Sequence, residues 1–259
     1  MFSEKLKPVF TNKKNLMRLG PKRDGGYIID RRIIDKIELI VTCGLSDDWS
    51  FEKHFLKYNN KVYVHAYDHT VDSYFWVKRF FKDIFHFFLF RKLSFHKIKS
   101  IFRYFDYIHF FRGNNRHFKT KISNKNIKCK STTINTIIKD KKNILLKIDI
   151  EGSEYNILND IIKNHEKIIF LIIEFHSIKK NLTKIYKFVS QLNSLKIMHI
   201  HGNNINKVDK NGYPYALELC FINSKIVNIS KKKNFNHYPI ISLDYPNVRR
   251  NKDIEIIFN

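Results

Sequence analysis

Three short runs place acidic and imidazole side chains where apolar, strand-like stretches end. The first is Leu145-Leu-Lys-Ile-Asp-Ile-Glu-Gly-Ser-Glu154, in which Asp149 and Glu151 close an apolar run and Gly152 breaks it. The second is Ile173-Glu-Phe-His176, and the third is His65-Ala-Tyr-Asp-His-Thr70. Successive strand residues point to opposite faces, so Asp149 pairs with Glu151, and Glu174 with His176, on one side. Together these four form a candidate general-base site, with His176 or a carboxylate taking a proton from a hydroxyl. A divalent ion could sit among them. One histidine among carboxylates without diagnostic spacing does not predict one, so no metal ligands are assigned. Glu154 is a candidate cap for the following helix, and His201 is a further strand-end histidine.

Glycine is scarce, with 8 in 259 residues, so where it occurs the backbone has a reason for it. Gly44 follows the first central strand and opens a strand-to-helix turn, where a nucleotide-like ligand meets backbone N–H groups in an α/β sheet. A GxGxxG run is absent, which argues against NAD or FAD. Asp68 ends the next strand, about twenty residues further on, where a carboxylate can accept both ribose hydroxyls of a nucleoside.

The elements that would position these groups alternate between short β-like runs and helical segments, the pattern of a mostly parallel sheet with crossovers. Strands are expected over residues 37–43, 61–67, 107–111, 143–150 and 167–175. An antiparallel final pair is expected over 195–201 and 216–223. Helices are expected over 50–58, 153–164 and 182–192. Between the second and third strands, residues 73–105 form an aromatic, basic insertion. Val77, Phe81, Ile84 and Phe88 fall at helical spacing there, as do Phe95, Ile98, Phe102 and Phe105. These faces suit packing on the domain, a lid over substrate, or an interfacial helix on a membrane. No composition break divides the chain, so residues 1–259 read as one domain carrying this insertion.

The formal net charge of +24 invites a nucleic-acid reading, but the lysines are dispersed and the composition is that of an AT-rich coding sequence. Specific nucleic-acid binding is therefore not expected, although an anionic substrate or membrane face would be attracted. Cys43, Cys129 and Cys220 lack metal-ligand spacing and read as buried, reduced thiols, as in a cytoplasmic protein. No stretch approaches the ~20 uncharged residues needed to span a bilayer.

The Leu146-Lys-Ile-Asp-Ile-Glu-Gly-Ser-Glu154 run resembles the LLKIDVEGxE signature of FkbM-like methyltransferases, and Ile172-Ile-Glu-Phe-His176 resembles that family's following strand. Arg18-Leu-Gly-Pro-Lys-Arg-Asp-Gly-Gly-Tyr27, Gly44-Leu-Ser-Asp-Asp-Trp-Ser-Phe-Glu52 and Leu243-Asp-Tyr-Pro-Asn247 are similar to elements of one subgroup. The resemblance implies a Rossmann-like, seven-stranded domain binding S-adenosylmethionine. Gly44 and its loop residues Leu45, Ser46 and Asp48 would face the cofactor. Asp68, with His69 beside it, would hold the ribose, and Asp149 and Glu151 would lie by the methyl-transfer site. It further implies O-methylation of a small-molecule, sugar or glycan hydroxyl in the cytoplasm, with peripheral membrane contact an open question. The competing expectation is a non-catalytic protein of the same fold, using its basic face to bind nucleic acid or an anionic membrane.

Overall fold

The computed structural model describes residues 1–89, 102–230, 232–234 and 237–259. An antiparallel pair, β1 (Leu16–Leu19) and β2 (Tyr27–Asp30), precedes the central sheet. The sheet begins with β3 (Leu39–Cys43), β4 (Tyr63–Tyr67) and β5 (Arg116–Phe118). A small parallel pair, β6 (Lys121–Ile122) and β7 (Ser131–Thr132), stands apart from it. Its remaining strands are β8 (Ile144–Ile148), β9 (Ile168–His176), β10 (Leu195–Asn203) and β11 (Ala216–Asn223).

The seven strands lie in the order β10-β11-β9-β8-β3-β4-β5. The run from β9 to β5 is parallel, and β11 is antiparallel to both β9 and β10. This is the Rossmann-like α/β sheet with an antiparallel final pair that the sequence pattern predicts. All nine residues of β9 and all five of β8 are buried, which is why both read as continuous apolar runs. From β3 the chain moves to one side for β4 and β5, then returns to the other for β8 and β9. That reversal opens a crevice at the C-terminal ends of β3 and β8, the switch point where α/β sheets bind ligands.

Helix α1 (Ser50–Leu56) follows β3 and buries Phe51 and Phe55, one helical turn apart. The insertion contributes α2 (Ser73–Leu89) and α3 (Arg103–Phe110). Further on come α4 (Ile134–Ile138), α5 (Leu158–Asn164) and α6 (Ile178–Gln191). The expected helix over 153–164 is split, because Glu154–Asn156 forms a 3-10 turn before α5 begins. None of the described helices is long and apolar enough to cross a membrane.

Two expectations fail. Residues 107–111 do not form the third strand; most of that run lies in α3, and β5 takes the edge position. Tyr107 and Phe111, four apart, pack edge-on against Trp49, and Tyr107 also meets Trp76, so helical spacing overrode a β-rich composition. Cys43 and Cys220 are buried, but Cys129 is exposed, in a tight turn with positive φ between Ile127 and Ser131.

Of the α2 face that suits packing, a lid or a membrane helix, Val77 and Phe81 are 53% and 64% exposed and Ile84 is half-buried. The inner side is Trp76 and Asp83. The Phe88 side chain, Phe95 and Ile98 lie outside what the structure describes, while Phe102 and Phe105 fall at α3 and are exposed.

Candidate active site

The crevice at the switch point is a cavity of about 820 Å³, within the range that takes a ligand of nucleoside size or larger. Its rim holds Gly44, Leu45, Ser46 and Asp48 from the first loop, Asp68 and His69 from the end of β4, and Asp149 and Glu151 from the end of β8. Residues far apart in the chain therefore meet because neighbouring strands end together.

Gly44 is the tightest joint. Its φ is +85°, and a Cβ there would lie 1.6 Å from the Asp149 carbonyl oxygen, so any side chain collides with the β8 backbone. Three of the non-glycine residues with positive φ, Ser46, Glu151 and Ser177, stand just after β3, β8 and β9, at the same end of the sheet. Left-handed backbone costs about 1–2 kcal/mol per residue and concentrates where function holds it in place.

Asp68 ties this end together. Leu45 N–H and Ser46 N–H donate to its Oδ2 at 2.8 and 3.0 Å, while Thr70 donates to Oδ1 from its N–H at 2.8 Å and its hydroxyl at 2.6 Å. Burial alone would raise this carboxyl, but the bonds from Thr70, Ser46 and Leu45 outweigh it and hold it below the usual carboxylate range. With four donors engaged, Asp68 braces the first loop against β4 in this structure. Asp48 accepts from Ser50 N–H at 2.8 Å where α1 begins.

The acid–histidine cluster reaches the cavity through Asp149 and Glu151, whereas the predicted His176 and Glu174 are not among the residues that line it. His176 Nδ1 lies 2.9 Å from Glu154 Oε1, and Nε2 faces Glu151 Oε2 at 3.4 Å and both Asp149 Oδ1 and Glu174 Oε1 at 4.0 Å. All four predicted groups thus converge. Strand alternation does not explain it for Asp149 and Glu151, because β8 ends at Ile148 and a strained turn delivers both. Asp149 Oδ1 is buried with no hydrogen-bond partner among the described residues. Burial pushes its carboxyl up to about 7, against the lowering pull of His176 and Lys147. Burial likewise raises Glu174, with Asp149 and Glu218 adding to the effect. Glu174 is buried and accepts from Asn203 Nδ2 at 2.8 Å.

Glu154 does not cap a helix. Fully buried, it accepts from Gly152 N–H at 3.0 Å and Ile150 N–H at 3.3 Å, folding the post-β8 turn onto His176. His201 does not line the cavity. It is held between Glu218 at 3.3 Å and Asp253 at 3.0 Å.

Two participants escaped sequence reasoning. Lys147, inside the apolar run of β8, lines the cavity floor and pairs with buried Glu52 at 3.1 Å, while Thr42 donates to the same oxygen at 2.6 Å. The signal available was a lysine at a strand position where both neighbours are apolar. The other is a pair of arginines on the insertion, which its aromatic pattern passed over. Arg79 of α2 and Arg103 of α3 both grip Asp47 of the first loop, at 2.5 and 2.8 Å, and both line the cavity.

Residues 96–202, under half of the chain, match the family model described as Methyltransferase FkbM domain, over the stretch that carries the Leu146–Glu154 motif. No curated protein matches the chain. Among solved structures, methyltransferase FkbM from Methylobacillus flagellatus KT is 13% identical, covering 71% of this chain and 44% of that one at a TM-score of 0.38. The fibrillarin pre-rRNA processing protein of Methanococcus jannaschii is 12% identical, over 73% of this chain and 68% of that one, at 0.37. TYW2 of M. jannaschii, in complex with AdoMet, is 11% identical over 83% and 89%, at 0.35. Likenesses this slight say nothing about chemistry or substrate.

Proposed function

With the FkbM-like family as premise, we propose that this protein is an S-adenosylmethionine-dependent methyltransferase acting at the switch-point cavity, and that it O-methylates a sugar or glycan hydroxyl. The observation that carries this reading is the joint between Gly44, Asp68 and the end of β8. A side-chain-free turn and an acidic strand end flank a cavity large enough for an adenosine-bearing ligand.

The residues present fit such a donor. The loop from Gly44 to Asp48 would lie along it, Asp68 and His69 would meet the ribose, and Asp149 lines the cleft beside Gly44. When bound, the donor supplies a methyl group already activated on a sulfonium. This chain's own task is then to hold an acceptor oxygen in line and accept its proton. Asp149 and Glu151, which line the cavity, would take that proton, with His176 against them at 4.0 and 3.4 Å. Lys147 and Glu52 keep the floor rigid, and Arg79 and Arg103 couple the insertion to the first loop.

Mass spectrometry of freshly purified protein should find retained S-adenosylmethionine or S-adenosylhomocysteine. Incubation with labelled donor and a panel of glycans should give alkali-stable methyl ethers. Methyl esters or N-methyl products instead would reject O-methylation of a hydroxyl.

A second reading concerns where the protein works. Tyr74, Val77 and Phe81 are exposed along α2, with Lys78 and Lys82 exposed beside them. Basic aromatic helices of this kind favour an anionic membrane surface, where a lipid-linked glycan would be presented. Co-sedimentation with anionic liposomes, with and without residues 73–105, tests it.

A further inference from the structure

The geometry points to a divalent-cation site beside the cleft, formed by His176 Nε2 with the cleft-lining Asp149 and Glu151, and suited to a first-row transition ion such as Mn²⁺ or Zn²⁺. No spacing along the chain assigns it. Its ligands come from a turn after β8 and the last residue of β9, which only the folded sheet brings together.

His176 is the centre of the site. Its side chain is 8% exposed, so more than nine-tenths of it is buried. Nδ1 is fixed by the fully buried Glu154 carboxylate at 2.9 Å, which leaves Nε2 as the open end of the ring. Nε2 makes no hydrogen bond among the described residues, yet it is aimed at Asp149 and Glu151. A carboxylate on one ring nitrogen with the other nitrogen turned toward oxygen ligands is how metal-bound histidines are oriented.

A second, separate observation is Asp149 Oδ1, a buried carboxylate oxygen without a hydrogen-bond partner. Leaving such an atom unpaired is costly, and a cation would satisfy it. The spacing agrees. One ligand atom from each of Asp149, Glu151 and His176 lies within 4.8 Å of the others, and the two distances from Nε2 are 3.4 and 4.0 Å. An ion with bonds of about 2.0–2.2 Å spans ligand atoms up to about 4.2 Å apart, so closure needs only a small movement. The Glu151 side chain, 85% exposed, has the room to make it.

One imidazole with two carboxylates favours Mn²⁺ or Zn²⁺ over Ca²⁺ or Mg²⁺, which prefer oxygen alone. Glu154 is a positioning residue, since it acts through His176. The role of the ion, holding the acceptor hydroxyl, rests on the methyl-transfer reading. The binding site does not.

Metal-stripped protein should be titrated with Mn²⁺, and bound ion followed by electron paramagnetic resonance without S-adenosylmethionine. We expect one site per chain, a rise in melting temperature with Mn²⁺, and displacement by Zn²⁺. His176→Asn and Asp149→Asn should each weaken Mn²⁺ at least tenfold. Glu154→Gln should weaken it by roughly 10–100-fold, as oriented partners of metal-bound histidines do. Because those variants touch buried groups, Glu151→Gln, at an exposed side chain, serves as the variant that must still fold, and it should also lose affinity. Absence of Mn²⁺ and Zn²⁺ binding to the wild-type protein would overturn the site, as would affinity unchanged in folded Glu151→Gln and His176→Asn. Binding of S-adenosylmethionine, titrated separately, reports on the methyl-transfer reading alone.

Discussion

Two acid–histidine clusters sit within one sheet, and they differ in how completely their histidines are held. Around His201, both ring nitrogens are held, by Glu218 and Asp253, and Asn247 bridges Glu218 at 2.7 Å to Asp24 at 3.0 Å. Around His176, one ring nitrogen is held and the other faces three carboxylates without a hydrogen bond, beside an orphaned Asp149 oxygen. The residue types are alike. The first arrangement holds both nitrogens of its histidine and ties in the C-terminal segment, with Asn247 Oδ1 unpaired, whereas the second leaves a ring nitrogen and a carboxylate oxygen without hydrogen bonds beside the cleft. Composition cannot separate the two, because the difference lies in the partners.

If that contrast is right, substitutions in the two clusters should divide cleanly between stability and binding. The largest stability loss belongs to His201→Leu, which leaves buried Glu218 without its cation. Removing one member of a buried pair costs about 3–5 kcal/mol, readable in urea unfolding, with binding of S-adenosylmethionine kept in the folded fraction.

The pH dependence sharpens the same point. Burial alone would lower the His201 pKa, but Glu218 and Asp253 outweigh it and raise it well above the ordinary histidine value of 6.5. Its contribution is therefore fully present below that value and lost as pH rises through the higher folded-state value. Wild-type stability should decline on the alkaline side, and His201→Leu should flatten that decline.

A smaller effect is expected from Asn247→Ala, which strands one oxygen on buried Glu218 and should cost about 1–3 kcal/mol. In the open cluster the expectation reverses. Glu151→Gly relieves left-handed backbone and should change stability by less than about 1 kcal/mol, because the glycine's own entropy cost offsets the gain. Methyl transfer should nevertheless fall sharply. Equal stability losses in both clusters would erase the distinction.

The sheet was largely legible because β8 and β9 are covered on both faces and carry unbroken apolar runs. The final pair was legible too, since turn residues Asn211, Gly212 and Pro214 separate two apolar stretches. Residues 107–111 misled because aromatic, β-favouring side chains also suit a helix when Trp49 and Trp76 receive them. The convergence of Asp149, Glu151, Glu174 and His176 followed from strand order, but Asp68's role as a loop brace depends on backbone donors, which no sequence displays. Lys147 was hidden for a related reason. A lysine in a β-run reads as surface until its buried partner, Glu52, is placed 95 positions away in the chain.

That the ends of β3, β4 and β8 build one site for a methyl donor is tested most directly by calorimetric titration of S-adenosylmethionine into the pure protein. Saturable binding at one site per chain is predicted, abolished by Asp68→Ala and unaltered by Asn247→Ala. A flat titration with the folded wild-type protein, once bound product has been removed, would contradict it.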